Sequence, residues 1–222
     1  MVAVDSSVPM AIMQLRPPDQ DELVARLDRL PTRLRVAFAA ACAERQMPNY
    51  ERFLPAQISE ANTLKLALQR VWEAAEGKAI SLREIDALLD SCMSIIDEHD
   101  LENSAPLPSD AAASVYCAIS ALTDDPKDAL HAANRAYAAA DYVVTTKLEL
   151  CIIDRALAEL IIAHPIGQAE LHRQQLDLQD LEAAGRDDGA IASVVAKVRD
   201  RARQDADSFL GDWDPGPADL AD

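Results

Sequence analysis

Apolar residues in this chain recur at three- and four-residue spacing, and each such run stops at a proline, a glycine or a polar cluster. Nowhere do apolar and polar residues alternate between hairpin turns, so the pattern admits helices and leaves no material for a sheet. The expected fold is therefore all-α. With 222 residues, half of them hydrophobic, one domain with a sizeable core fits better than two. We expect a flexible arm over residues 1–18, one compact multi-helix bundle over 19–210, and a disordered acidic tail over 211–222.

The punctuation places the helices. Asp19, after Pro17-Pro18, caps a helix to Leu30 whose inner face is Leu23, Leu27 and Leu30. Pro31 opens a second helix, Thr32 to Gln46, which Pro48 is expected to end; a short turn then carries Tyr50, Phe53 and Leu54. Ser59 is the expected cap of a third, with Leu64, Leu68, Val71 and Trp72 inside and Gly77 as a left-handed stop. Ser81-Leu82-Arg83-Glu84 reads as a capping box, in which the serine oxygen takes an amide and Glu84 reaches back. After a proline-rich stretch, Ser109 or Asp110 starts an alanine-rich helix. Asp125-Pro126 starts another, whose helical pattern runs on to Ala163. Its polar stripe shifts around the axis after Cys151, so we read Pro126 to Ala163 as a long central helix with a mild bend. Pro165 opens a helix to about Ala184, with Leu171, Leu178 and Leu181 inward, and Gly185 and Gly189 precede a last one from Ala190 to Leu210.

Charge narrows the function classes. Thirty-eight acidic against 21 basic residues give a formal net charge of -17, which opposes the phosphate contacts that nucleic acids and anionic membranes require. Both are excluded as expected partners, whereas a basic protein is compatible. The greasiest segment, Leu148 to Ala163, contains Glu149, Asp154, Arg155 and Glu159, so no bilayer span is expected. The N-terminus lacks the positive region of a secretory signal, and Cys42, Cys92, Cys117 and Cys151 form no C-x-x-C pair. Reduced core thiols and a cytoplasmic location follow as expectations.

No G-x-S-x-G, phosphate loop or dinucleotide fingerprint occurs, and six glycines leave little material for one, so no cofactor is expected. Asp97 to Glu102 wraps around a helix end instead of converging, and of the Glu-x-x-His pairs a di-iron bundle needs, only Asp128-x-x-His131 comes near. No metal site is expected either. The sequence with most chemistry is Cys42-Ala43-Glu44-Arg45 followed by Pro48-Asn49-Tyr50. Glu44 shares a helical face with Ala37, Ala40 and Ala41; a carboxylate there is partly desolvated and needs a partner such as Arg45, Asn49 or Tyr50. It serves either as a general base or as a group that closes a helix end. Glu149, in the most apolar helix, also needs a specific partner, and Arg45 is one choice. The polar set singled out is thus Glu44, Arg45, Asn49, Tyr50 and Glu149.

Those residues also carry a resemblance. Cys42-Ala43-Glu44-Arg45, Pro48-Asn49-Tyr50-x-x-Phe53, the leucine-rich helix ending Val71-Trp72-Glu73, Val115-Tyr116-x-Ala118 and Leu148-Glu149 resemble the bacterial YjaG-like family, a domain of unknown function. The resemblance spans roughly Leu23 to Ala206 and implies a small all-helical bacterial protein without an established activity. Where that family tends to have proline and then an acidic residue after the Val-Tyr pair, this chain has Cys117 and Ser120. Where it has Ser-Asn-Ile-Gly near the C-terminus, this chain has Ser208-Phe209-Leu210-Gly211. The reading that follows is an interaction or scaffolding module, as a homodimer or with a protein partner. The alternative is a small-ligand binder or enzyme with a polar pocket around Glu44, Arg45, Tyr50 and Glu149, its ligand unknown.

Overall fold

The structure is a computed structural model and describes residues 15–17, 19–101, 106–148, 155–185, 187–206 and 208. Among these residues the secondary structure is nine α-helices and one 3-10 helix, with no strand. The helices are α1 (Gln20–Arg29), α2 (Thr32–Phe53), α3 (Ile58–Ala75), α4 (Leu82–Leu101), α5 (Pro106–Ser120), α6 (Pro126–Lys147), α7 (Arg155–Ala163), α8 (Pro165–Ala183) and α9 (Asp188–Ala206), with the 3-10 turn at Ala121–Thr123.

Local chemistry sets most of the boundaries. The Asp19 side chain accepts from the amides of Asp21 and Glu22 at the start of α1. The Asp125 carboxylate accepts from the Lys127 amide, with Pro126 at the first helical position of α6. His164 holds the start of α8 by accepting from the Ile166 amide, directly before Pro165. Gly77 closes α3 at φ +100°, where a Cβ would stand 3.0 Å from the Arg33 guanidinium that itself donates to the Ala75 carbonyl.

Five expectations are corrected. Pro48 does not end α2, which continues unbroken to Phe53. An interior proline costs a helix about 3 kcal/mol, but the turn beyond it buries Tyr50 fully and Phe53 to 9% exposure. Burying a large apolar side chain contributes about 1.5–3 kcal/mol, so two of them offset the proline. The third helix begins at Ile58 with no side-chain cap: its first turn leans on backbone bonds such as Ala61 N–H to Gln57 carbonyl, and Ser59 lies two residues past the cap position, Gln57. The capping box at α4 is half formed: Ser81 Oγ accepts from the Glu84 amide at 3.2 Å, but the Glu84 carboxylate is drawn away by Arg70 at 2.6 Å. The alanine-rich helix starts at Pro106, ahead of Ser109, since proline fits a first turn that needs no intrahelical donor.

The fifth correction concerns the centre. A long helix lies in the middle of the bundle, but it is α2, not the Pro126 to Ala163 segment. That segment comprises α6, ending at Lys147, and α7, starting at Arg155, with residues 149–154 outside the described part. Helix α2 packs against α3, α5, α6, α8 and α9, and sixteen of its 22 residues are buried. Its alanine run Ala39 to Ala41 lets neighbouring helices approach from every side, and Phe38, Cys42 and Leu34 fill the gaps between them. A smaller satellite core around Phe53, Leu107, Ala140 and Val143 closes the end where α2 meets the start of α5.

Candidate functional site

A helix buried on all sides still carries the charged residue that its sequence put there. Arg45 lies on α2 with no exposed surface, facing α8. Its Nε and Nη2 donate to the two oxygens of Glu170 at 3.2 and 3.1 Å, a forked pair, and its Nη1 donates to Asp177 Oδ2 at 2.8 Å. Both carboxylates are also fully buried. Gln174 stands between them on α8, donating to Glu170 Oε1 at 2.9 Å and to the Ala133 carbonyl of α6 at 3.0 Å. The other oxygen of Asp177 accepts from Arg201 on α9 at 2.6 and 2.9 Å. Arg201 also donates to Asp180 at 2.6 Å, which takes a further bond from Lys197 at 2.8 Å. The chain of charges therefore runs from the middle of the core to the surface, and links α2, α6, α8 and α9.

Signs alternate along this chain, which is why it survives burial. Burial alone would lower the pKa of Arg45, but Glu170 and Asp177 outweigh it and hold the guanidinium well above its ordinary range. Arg45 stays charged at any pH at which the fold persists. Removing one partner of such a buried pair costs about 3–5 kcal/mol, because an uncompensated charge is left inside. The neighbouring Cys42 thiol, 3.6 Å from Arg45 Nη2, is pushed up by burial and by the charges of Glu170 and Asp177 against the opposing pull of Arg45, so it is an unreactive core group.

The remaining sequence candidates go elsewhere. Glu44 Oε2 accepts from the Trp72 indole N–H at 2.7 Å, and Arg203 approaches its other oxygen at 3.4 Å. Asn49 Nδ2 donates to Gln46 Oε1 at 2.8 Å, which leaves Gln46 Nε2 and Asn49 Oδ1 without a hydrogen-bond partner among the described residues. The Tyr50 hydroxyl donates to Glu60 of α3. Glu149, with Cys151, lies outside the described residues. Among the described residues, Arg45, Glu44, Asn49 and Tyr50 thus face four different sets of partners. Glu44 lines a cavity of about 230 Å³ shared with Lys65, Trp72, Arg199 and Arg203. Arg199 lies over the Trp72 ring at 5.6 Å from its centre.

The partners of Arg45 were not among the sequence candidates, although a signal exists. Glu170, Gln174 and Asp177 fall at intervals of four and three, and Leu181 continues the same line one turn on. A stripe that ends in a fully buried leucine is an inner face. A second concavity, about 550 Å³ between α6 and α7, is lined by Gln20, Asn134, Tyr137, Asp141 and Ile161. Burial raises the Tyr137 hydroxyl and the Asp141 carboxyl above their ordinary ranges there. His131 is exposed, and among the described residues no three His, Cys, Asp or Glu side chains are grouped to hold a metal ion. No helix among them is long and apolar enough to cross a membrane.

Comparison with known proteins fits this architecture. Residues 22–211 match the family described as "Protein of unknown function (DUF416)". The chain is similar in fold to the crystal structure of a DUF416 family protein from Shewanella baltica OS155, with a TM-score of 0.67 at 19% sequence identity, over 82% of this chain and 93% of that one. No curated protein matches the chain.

Proposed function

The chain belongs to the DUF416 family, and from that premise we propose that it is an interaction or scaffolding module, acting through a protein partner or a second copy of itself. The closer kinship with YjaG-like proteins belongs to this proposal, and the Cys42 to Phe53 motif supports it. One observation carries the functional reading: Glu44, Arg45 and Tyr50 of that motif are engaged by other side chains of the fold, while large apolar side chains stand outside. Arg45 is fully buried between two carboxylates, whereas Leu82 is 75% exposed and Ile58 and Leu66 are each 67% exposed. Large apolar side chains left this exposed are suited to burial against another protein.

Size-exclusion chromatography with light scattering, over a dilution series, tests the self-association form. A mass that doubles with concentration supports the homodimer. Affinity capture from the native bacterium tests the other form. A constant monomer mass, together with no reproducible protein partner, would overturn the proposal.

The alternative, a small-ligand binder or enzyme, draws its support from Glu44. Glu44 borders the 230 Å³ cavity with Lys65, Arg199 and Arg203, a mixed-charge rim over the Trp72 ring that suits a small zwitterionic or anionic compound. A metabolite that raises the melting temperature of the wild type and not of Arg203→Ala would favour this alternative over the interaction reading.

A further inference from the structure

Helix α4 is wider in its apolar stripe than the fold requires. Ile85, Cys92 and Ile95 are buried, at 4%, 0% and 6% exposure, where α4 packs on α5. At 100° per residue, Leu82, Leu89, Met93 and Ile96 fall together on the adjoining arc, where Leu89 and Ile96 still touch the edge of the core and Leu82 and Met93 face solvent. Leu82 is 75% and Met93 39% exposed, and Leu89 and Ile96 are half-buried. Beyond this line on the same side lie three exposed carboxylates, Asp86, Asp90 and Asp97. The face is therefore an apolar strip edged by negative charge, along more than three helical turns.

Charge decides what can cover it. A second copy meeting this face antiparallel through the same face would bring Asp86, Asp90 and Asp97 against their own counterparts, three acids to the one exposed cation of that edge, Arg83, which is destabilising. Segments of this chain outside the described structure are no better suited. Residues 1–14 contain Asp5 and no lysine or arginine, and residues 209–222 contain Asp212, Asp214, Asp219 and Asp222 with no basic residue.

We propose that the outer face of α4 docks a basic amphipathic helix of a partner protein, with Leu82, Leu89, Met93 and Ile96 burying its apolar residues and Asp86, Asp90 and Asp97 pairing its lysines or arginines. The proposal rests on the interaction reading and names the chemistry of the partner. Anchors at i, i+3/i+4 and i+7 in the partner would match the spacing of the strip.

The probe is a synthetic helical peptide of about four turns built from lysine and leucine only, with a glutamate and leucine peptide as its counterpart. Fluorescence anisotropy is measured on the full chain, the pair Leu82→Gln/Met93→Gln, and the triple Asp86→Asn/Asp90→Asn/Asp97→Asn. Circular dichroism confirms that both variants remain folded, as exposed positions allow. The proposal expects the lysine peptide to bind the wild type with a Kd of about 1–10 μM. It expects a loss of at least about tenfold in each variant, and no binding of the glutamate peptide. Equal binding to wild type and variants would mean attraction to the net charge alone and would overturn it, as would no binding. Self-association of the wild type that Leu82→Gln/Met93→Gln abolishes would make a second copy the occupant and would also overturn it. A dimer, or a captured partner, that is indifferent to both variants would keep the interaction reading while removing this face from it.

Discussion

The inner face of α8 and the outer face of α4 put similar ingredients to opposite uses. Along α8, Glu170, Gln174 and Asp177 form a polar line that the fold buries completely or nearly so. Along α4, Leu82, Leu89, Met93 and Ile96 form an apolar line that the fold leaves uncovered in part, 75% exposed at Leu82 and 39% at Met93, with Leu89 and Ile96 half-buried. What differs is the neighbour. Helix α2 offers α8 a guanidinium with its donors aimed at both carboxylates, whereas α5 is already covered by Ile85, Cys92 and Ile95 before the rest of the α4 stripe can reach it. Burial here follows the availability of a matching surface and not polarity alone, and a surface left unmatched is one available to another molecule.

Substitutions on the two faces should separate by size. The largest effect is expected for Arg45→Ala, which strands Glu170 and Asp177 and should lower unfolding free energy by about 3–5 kcal/mol in urea titrations. In that variant Cys42 should become open to alkylation at pH 8, while in the wild type peptide mapping should find it unmodified. Asp177→Asn keeps the shape but weakens the bonds to Arg45 and Arg201, and should cost about 1.5–3 kcal/mol. Glu44→Gln retains an acceptor for the Trp72 indole and loses only its charge, so about 0.5–1.5 kcal/mol is expected by the same titration. Leu82→Gln with Met93→Gln on α4 should change stability by no more than about 0.5 kcal/mol. A loss of several kcal/mol there would mean that the α4 strip is part of the core, and the contrast would collapse.

The sequence exposed these regions unequally, for physical reasons. Caps at Asp19 and Asp125, the helix start at Pro165 and the stop at Gly77 could be read because each depends on a few consecutive residues. The apolar stripes of α1, α3 and α4 were legible for the same reason. Pro48 misled because its local cost was visible, while the burial of Tyr50 and Phe53 that offsets it depends on α3, α5 and α6. The expectation that Glu44 needs a partner was sound, but the partner is Trp72, 28 residues along. In the sequence Arg45 reads only as a partner for Glu44 or Glu149, whereas Glu170 and Asp177, 125 and 132 residues away, are the carboxylates that hold it. Pairings over such separations leave no mark in local pattern beyond the alignment of Leu181 with the polar stripe of α8. The chain's -17 charge likewise said nothing of where acids gather around exposed leucine.

The most direct test of the account is a double-mutant cycle on Arg45→Met and Glu170→Gln, read by urea unfolding. The two side chains share a forked, fully buried pair, so the cycle should return a coupling of about 1–3 kcal/mol. Additive effects, with a coupling below about 0.3 kcal/mol, would contradict the claim that this arginine is held within the core as a structural tie between α2 and α8.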